Sequence, residues 1–231
     1  MIIGIPVYKD IDGFKRMMET FLASTTETKY NIIIVESETP GIQEICDTYF
    51  ISQLPNETSL QIYHTKKEGP LKAYELLFNI AKERKEDLFL TQTDVIFPEL
   101  YGRNWLKEMQ EISKRENCGM ITCLGGGGIS GPDFIDGFKW VGAWILYIPY
   151  RVIEKLGGYD MNIPLGWGVD IDYTYAVVSL GYNIYQINYW VQHYPNYEEA
   201  HEHEKVNDIE NLKKEAYRYM REKWKVGEYK K

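Results

Sequence analysis

Two carboxylates two residues apart, Asp170 and Asp172, follow a Gly166-Trp167-Gly168 corner and precede the apolar run Tyr173 to Leu180. Asp is a poor helix-interior residue but a good helix N-cap, so the pair is expected where a glycine loop turns into a helix. A carboxylate held there, with the Trp167 indole beside it, suits a general base at the floor of a cleft. Capping and attraction to the helix dipole explain Asp-x-Asp as well when it stands alone. Just upstream, Gly157-Gly158-Tyr159-Asp160 joins a flexible glycine pair to an aromatic-acid step.

Other polar groups fall after short apolar runs. Tyr8-Lys9-Asp10 follows Ile2 to Val7, Glu36-Ser37-Glu38 follows Tyr30 to Val35, and Thr93-Asp94 follows Asp87 to Leu90. Gly125 to Gly128 has backbone freedom to approach a phosphate, but no Lys-Ser/Thr follows it, so it is not a Walker loop; a flexible loop is the plainer reading. The first strand is not followed by the Gly-x-Gly-x-x-Gly of dinucleotide binders.

These residues need elements to position them. Short β-branched runs read as buried strands at Ile2 to Val7, Tyr30 to Val35, Leu60 to His64, Asp87 to Leu90, Gly119 to Leu124, Val141 to Pro149 and Tyr182 to Tyr189. Helical periodicity falls between them, at Asp12 to Phe21, Gly41 to Phe50, Leu71 to Arg84, Trp105 to Arg115 and Tyr150 to Leu156. Strand and helix in alternation predict an α/β fold with a mainly parallel sheet, whose ligands bind at the carboxyl ends of the strands. Ile209, Leu212, Ala216 and Tyr219 lie on one face of a last helix.

The chain has 231 residues, enough for one large domain with a small appendage. A net charge of -8 argues against a nucleic-acid binder. Asn211 to Lys231 runs the other way, with eight Lys/Arg against three Asp/Glu. That stretch has the character to touch an anionic membrane surface, though a solvated helix packed by its apolar side is the plainer reading. The 19 Tyr and 6 Trp hint at stacking on sugars or bases. Cys46, Cys118 and Cys123 show no metal or redox spacing. The longest apolar stretch, around Trp140 to Tyr150, is too short to span a bilayer, which predicts a cytoplasmic protein, at most peripheral to a membrane.

Taken together, Ile3-Gly4-Ile5-Pro6-Val7-Tyr8, Ile34-Val35-Glu36-Ser37, Gly69 to Asn79, Leu88 to Val95, Gly142 to Asp160 and Gly166 to Asp172 resemble, in order and spacing, the GT-A glycosyltransferases, above all the family 2-like inverting enzymes. The resemblance covers Met1 to His193 and implies a Rossmann-like, mainly parallel sheet flanked by helices over residues 1–197. A nucleotide-binding half (1–100) and an acceptor half (101–197) would make up that domain, with a helical extension over 198–231. It implies sugar transfer from a nucleotide diphospho-sugar, UDP-sugar favoured, to a glycan, lipid-linked or protein hydroxyl.

By the same resemblance Asp170 is the catalytic base, and Pro6, Val7, Tyr8, Glu36, Lys72, Gln92, Thr93 and Asp94 bind the donor. Trp167, Gly168 and Asp172 meet the acceptor, and Asp94 and His193 hold Mn2+ or Mg2+ on the diphosphate. His201-Glu202-His203 is a rival ligand set. Two departures stand out. Gln92 replaces the first Asp of the family's Asp-x-Asp, and Val169 replaces the Glu before the base. They keep open a second reading, a catalytically degenerate nucleotide-sugar or glycan-binding protein of the same fold.

Overall fold

The computed structural model describes residues 1–25, 28–55, 57–66, 70–99, 103–125, 129–130, 140–142, 144–193 and 209–225. The first strand, β1 (Ile2–Tyr8), is buried on both faces, as a central parallel strand must be. Ile3, Ile5 and Val7 join one hydrophobic core, while Ile2 joins a second core on the other face. The neighbouring β2 (Asn31–Ser37) divides the same way, with Ile32 and Ile34 on one side and Ile33 and Val35 on the other. This alternation is the period-two geometry of a strand sandwiched between helical layers.

Beyond these lie β3 (Ser59–Thr65), β4 (Leu88–Thr91), β5 (Val95–Ile96) and β6 (Cys118–Gly125). A small separate ribbon pairs β7 (Ile129–Ser130) with β8 (Trp140–Val141). Last come β9 (Ile145–Ile148) and β10 (Asn183–His193). Eight strands form the main sheet in the order β3-β2-β1-β4-β9-β6-β10-β5. β1 to β4 are mutually parallel, β9 runs against both β4 and β6, and β10 is parallel to β6 and antiparallel to β5. The expected single strand from Val141 to Pro149 is therefore two strands in two different sheets, with Gly142 and Trp144 in the break. Each half has strand-like residues, so only the identity of the pairing partner separates them.

One face carries α1 (Ile11–Ser24), α2 (Ile42–Ile45) and its π-helical continuation Cys46–Phe50, and α4 (Trp105–Ser113). Its core is aromatic: Trp105, fully buried, stacks on Tyr189 at 4.9 Å and on Phe97 at 5.3 Å. Such pairs add about 0.5–1.5 kcal/mol each beyond the area they bury. The other face carries α3 (Pro70–Arg84), α5 (Tyr150–Leu156), α6 (Val169–Ser179) and α7 (Ile209–Trp224). Ala216 and Met220 of α7 belong to the same core as Leu77, Phe78 and Tyr173. Among the described residues no helix is long and apolar enough to cross a membrane.

Candidate active site

At the carboxyl ends of β1, β2 and β4 the chain reverses into helices, and there the structure gathers buried carboxylates. Asp10, Glu36 and Asp94 are each under a tenth exposed. A buried charge is tolerated only with partners, so each marks a built arrangement. Asp10 caps α1, its Oδ1 accepting from the Gly13 N–H at 2.9 Å, and its Oδ2 accepts from the Thr93 hydroxyl at 2.7 Å. That pair ties the end of β1 to the end of β4.

Glu36 accepts from the Thr39 N–H at 3.0 Å and from His64 Nδ1 at 2.5 Å. It lines a cleft of about 270 Å³ with Glu38, Thr39, Gly41 and His64. Lys9 and Glu38 stand in the left-handed backbone region, at φ 55° and 52°, where non-glycine residues are uncommon. Tertiary contacts hold these turns: the Lys9 N–H donates to the Thr39 hydroxyl at 2.9 Å, and the Tyr8 hydroxyl donates to Glu38 at 3.4 Å. The Val7 side chain belongs to the core, and Pro6 sits where β1 pairs with β2 but no longer with β4. Lys72 pairs along α3 with Glu75 at 2.8 Å.

The antiparallel register of β5 on β10 sets Val95 opposite His193 and so places Asp94 beside the imidazole. His193 Nε2 lies 2.9 Å from Asp94 Oδ2, and Trp144 stacks on the ring at 4.2 Å. Asp94 Oδ1 is buried and has no hydrogen-bond partner among the described residues. A carboxylate oxygen in that state suits a cation, and an aspartate oxygen with an imidazole nitrogen is a donor set that Mn2+ accepts. Among the described residues no three His, Cys, Asp or Glu side chains gather at metal spacing, so such a cation would need oxygens from its ligand as well. His201, Glu202 and His203 lie outside the described residues, as do Gly69 and Gly126 to Gly128.

Asp170 is not the helix cap. Gly168 takes that position at φ 82°, and Asp170 lies in the first turn of α6, its Oδ1 accepting from the Ile171 N–H at 2.9 Å. The left-handed corner needs glycine, which moves the helix start two residues ahead of the aspartate. Gly166, at φ 72°, is also left-handed, and a β-carbon there would meet Leu71 of α3 at 2.8 Å. One at Gly168 would meet Met220 of α7 at 2.9 Å. The corner is thus wedged between two helices.

Trp167 is covered by Lys213, whose ammonium lies 3.9 Å from the indole centroid. Asp172 turns away from the cleft. Its Oδ2 accepts from Lys223 and its Oδ1 from the Trp224 indole N–H, both at 2.7 Å.

Tyr74 was not among the expected site residues, yet it links them. Its phenol is pushed up first by burial and then by the negative charges of Asp94 and Asp170, so both carboxylates face it. Gln92 Nε2 donates to the Tyr74 hydroxyl at 2.7 Å. A carboxylate at position 92 has no proton to donate there, which gives the amide a structural reason. Tyr159, stacked edge-on to Tyr74 at 5.2 Å, is raised by burial and by the same Asp170 charge. In the sequence Tyr74 is one aromatic among many on a helix, and nothing local distinguishes it.

Neither a scan against family models nor a search of curated proteins finds a match. Solved structures do match. A mannosyltransferase from Pyrobaculum calidifontis, in complex with GDP-Man and Mn2+, aligns with a TM-score of 0.61 at 14% identity over 86% of this chain and 57% of its own. Residues 1–349 of TarS from S. aureus, in complex with UDP-GlcNAc, align with a TM-score of 0.65 at 12% identity, over 99% of this chain and 67% of that one. A longer TarS structure aligns at 0.56 and 13% identity, with 37% of it covered. This chain therefore spans about 57% of the length of the mannosyltransferase and 37% of the longer TarS. The fold is the GT-A-like glycosyltransferase fold.

Proposed function

On this fold, we propose that the chain is an inverting glycosyltransferase that moves a sugar from a nucleotide diphospho-sugar, UDP-sugar favoured, to a hydroxyl acceptor. The observation that carries the reading is the Asp94–His193 pair, with one carboxylate oxygen buried and unpartnered, facing the same Tyr74 phenol as Asp170. A diphosphate-binding pole and a base then lie on opposite sides of one phenol, which is the arrangement a single displacement needs.

In that reaction the acceptor oxygen attacks the anomeric carbon while Asp170 takes its proton, and the bond to the nucleoside diphosphate breaks on the far side, inverting the centre. Glu36 and Tyr8 at the β1 and β2 ends would meet the nucleoside, near the cleft beside His64. Pro6, Val7, Lys72, Gln92 and Thr93 would line the donor's path, with Trp167, Gly168 and Asp172 toward the acceptor. Asp94 and His193 would hold Mn2+ or Mg2+, which when bound neutralises charge on the leaving diphosphate. The protein's own part is to orient both substrates and keep Asp170 ionised and aimed. The two bound structures of similar fold, one with GDP-Man and Mn2+ and one with UDP-GlcNAc, support this chemistry.

Calorimetric titration with UDP and GDP, each with Mn2+ and with chelator, tests the donor site. Binding of one nucleotide that chelator weakens is the expected result. No binding under any condition would favour the second reading, a degenerate glycan-binding relative, for which Gln92 and the Lys213 cover on Trp167 are the supporting features.

A further inference from the structure

The corner that carries Asp170 has little local support. Its helix begins on Gly168, which offers no side-chain cap, and the preceding Pro164–Gly166 is a single tight turn. The support comes from α7. Lys223 Nζ donates to Asp160 at 2.8 Å and to Asp172 at 2.7 Å, so one ammonium grips both ends of the segment 160–172. The Tyr219 hydroxyl adds a bond to Asp160 at 2.9 Å, and the Trp224 indole adds one to Asp172 at 2.7 Å. Trp224 also packs on Tyr175 of α6 at 4.8 Å, and Met220 fills the space a side chain at Gly168 would take.

The helical geometry gives this grip a direction. Residues two apart on a helix project roughly 200° apart around its axis. Asp172 points into α7 while Asp170 faces Tyr74 and Tyr159. A bond at Asp172 therefore fixes rotation of the first turn of α6, and with it the aim of Asp170.

We infer that α7 is a clamp that sets the position of Asp170 from behind, with Lys223 as its positioning residue and Asp160 and Asp172 as its two anchors. The inference rests on the reading of Asp170 as the base. It assigns a role in the chemistry to a helix that touches neither donor nor base, and gives Asp172 the task of orienting its neighbour.

The test compares Lys223→Met, which keeps the stem and removes the charge, with Lys223→Arg. Hydrogen exchange is followed over 166–175 and over β1 to β4, and turnover of UDP- and GDP-sugars is measured alongside. In Lys223→Met the first turn of α6 should exchange about ten-fold faster with the sheet unchanged. Turnover (kcat) should fall roughly ten- to a hundred-fold with donor KM nearly constant. Lys223→Arg, which can reach both carboxylates, should restore most of both. Unchanged exchange at 166–175, or loosening spread evenly over the sheet, would overturn the clamp. So would a loss carried by donor KM alone. If Lys223→Met does not fold, Trp224→Phe removes only the indole N–H on Asp172 and should show the same local pattern in weaker form. If the wild type turns over no sugar nucleotide, the transferase reading fails, while the exchange comparison still decides the clamp.

Discussion

Asp170 and Asp172 share a motif and face opposite ways, one toward the Tyr74 phenol and one into Lys223 and Trp224. Their substitutions should separate accordingly. Asp170→Asn keeps the shape and removes the base, so transfer should fall by about a hundred-fold or more while calorimetric donor binding stays nearly intact. Unchanged turnover would remove Asp170 from the mechanism. Asp94→Ala leaves His193 without its carboxylate partner and should weaken nucleotide binding only when Mn2+ is present. An equal loss in chelator would show that Asp94 does not act through a cation. The sequence marked Asp94, Asp170 and His193 by their places after strands and before a helix. It could not show that Gln92 serves Tyr74, because that bond joins residues 18 apart on different elements.

Among the elements, the turn into α6 is the most constrained by its neighbours. Gly168 holds φ 82° against Met220. Gly168→Ala should cost about 1–2 kcal/mol for the left-handed backbone alone, measured as a lowered urea midpoint at unchanged slope. Met220 can yield at its flexible end, so the packing cost should be the smaller part. The sheet was largely legible, since β1, β2, β3, β4 and β6 are compact β-branched runs whose alternation with helices allows few topologies. The break between β8 and β9 was not, because each half reads as strand and only pairing to β7 or to β4 and β6 distinguishes them.

At the scale of the molecule, α7 converts a basic tail into part of the fold. Lys213 covers Trp167 and Lys223 binds two carboxylates, so two of the tail's cations face protein. Burial pushes Asp160 upward, but Lys223, the Asn162 N–H and Tyr219 outweigh it and hold the carboxyl at about 2 against its ordinary 3.8. A depressed carboxyl stabilises the fold fully above the unfolded value and loses that contribution as pH falls through the folded one. Docking of α7 should therefore weaken between pH 3.8 and about 2. Lys223 is lowered by burial but raised further by its two carboxylates, to a net value above 10.5. Its contribution should persist up to pH 10.5 and fade above it. Urea midpoints across pH, compared with Asp160→Asn, check the acid limb: the variant should lack that part of the fall.

The amino-acid order by itself determined which segments become strands and helices, and which polar residues stand at their ends, because periodicity and turn chemistry act over a few residues. It thereby determined an α/β sheet with its acidic groups along one edge. Only the tertiary structure decided which of those groups meet. The Asp94–His193 pair spans 99 positions, Thr93 reaches Asp10 across 83, and Lys223 reaches Asp160 and Asp172 across 63 and 51. Those pairings depend on strand order and register, which are fixed when two faces of one sheet are buried together and leave no local trace in the sequence.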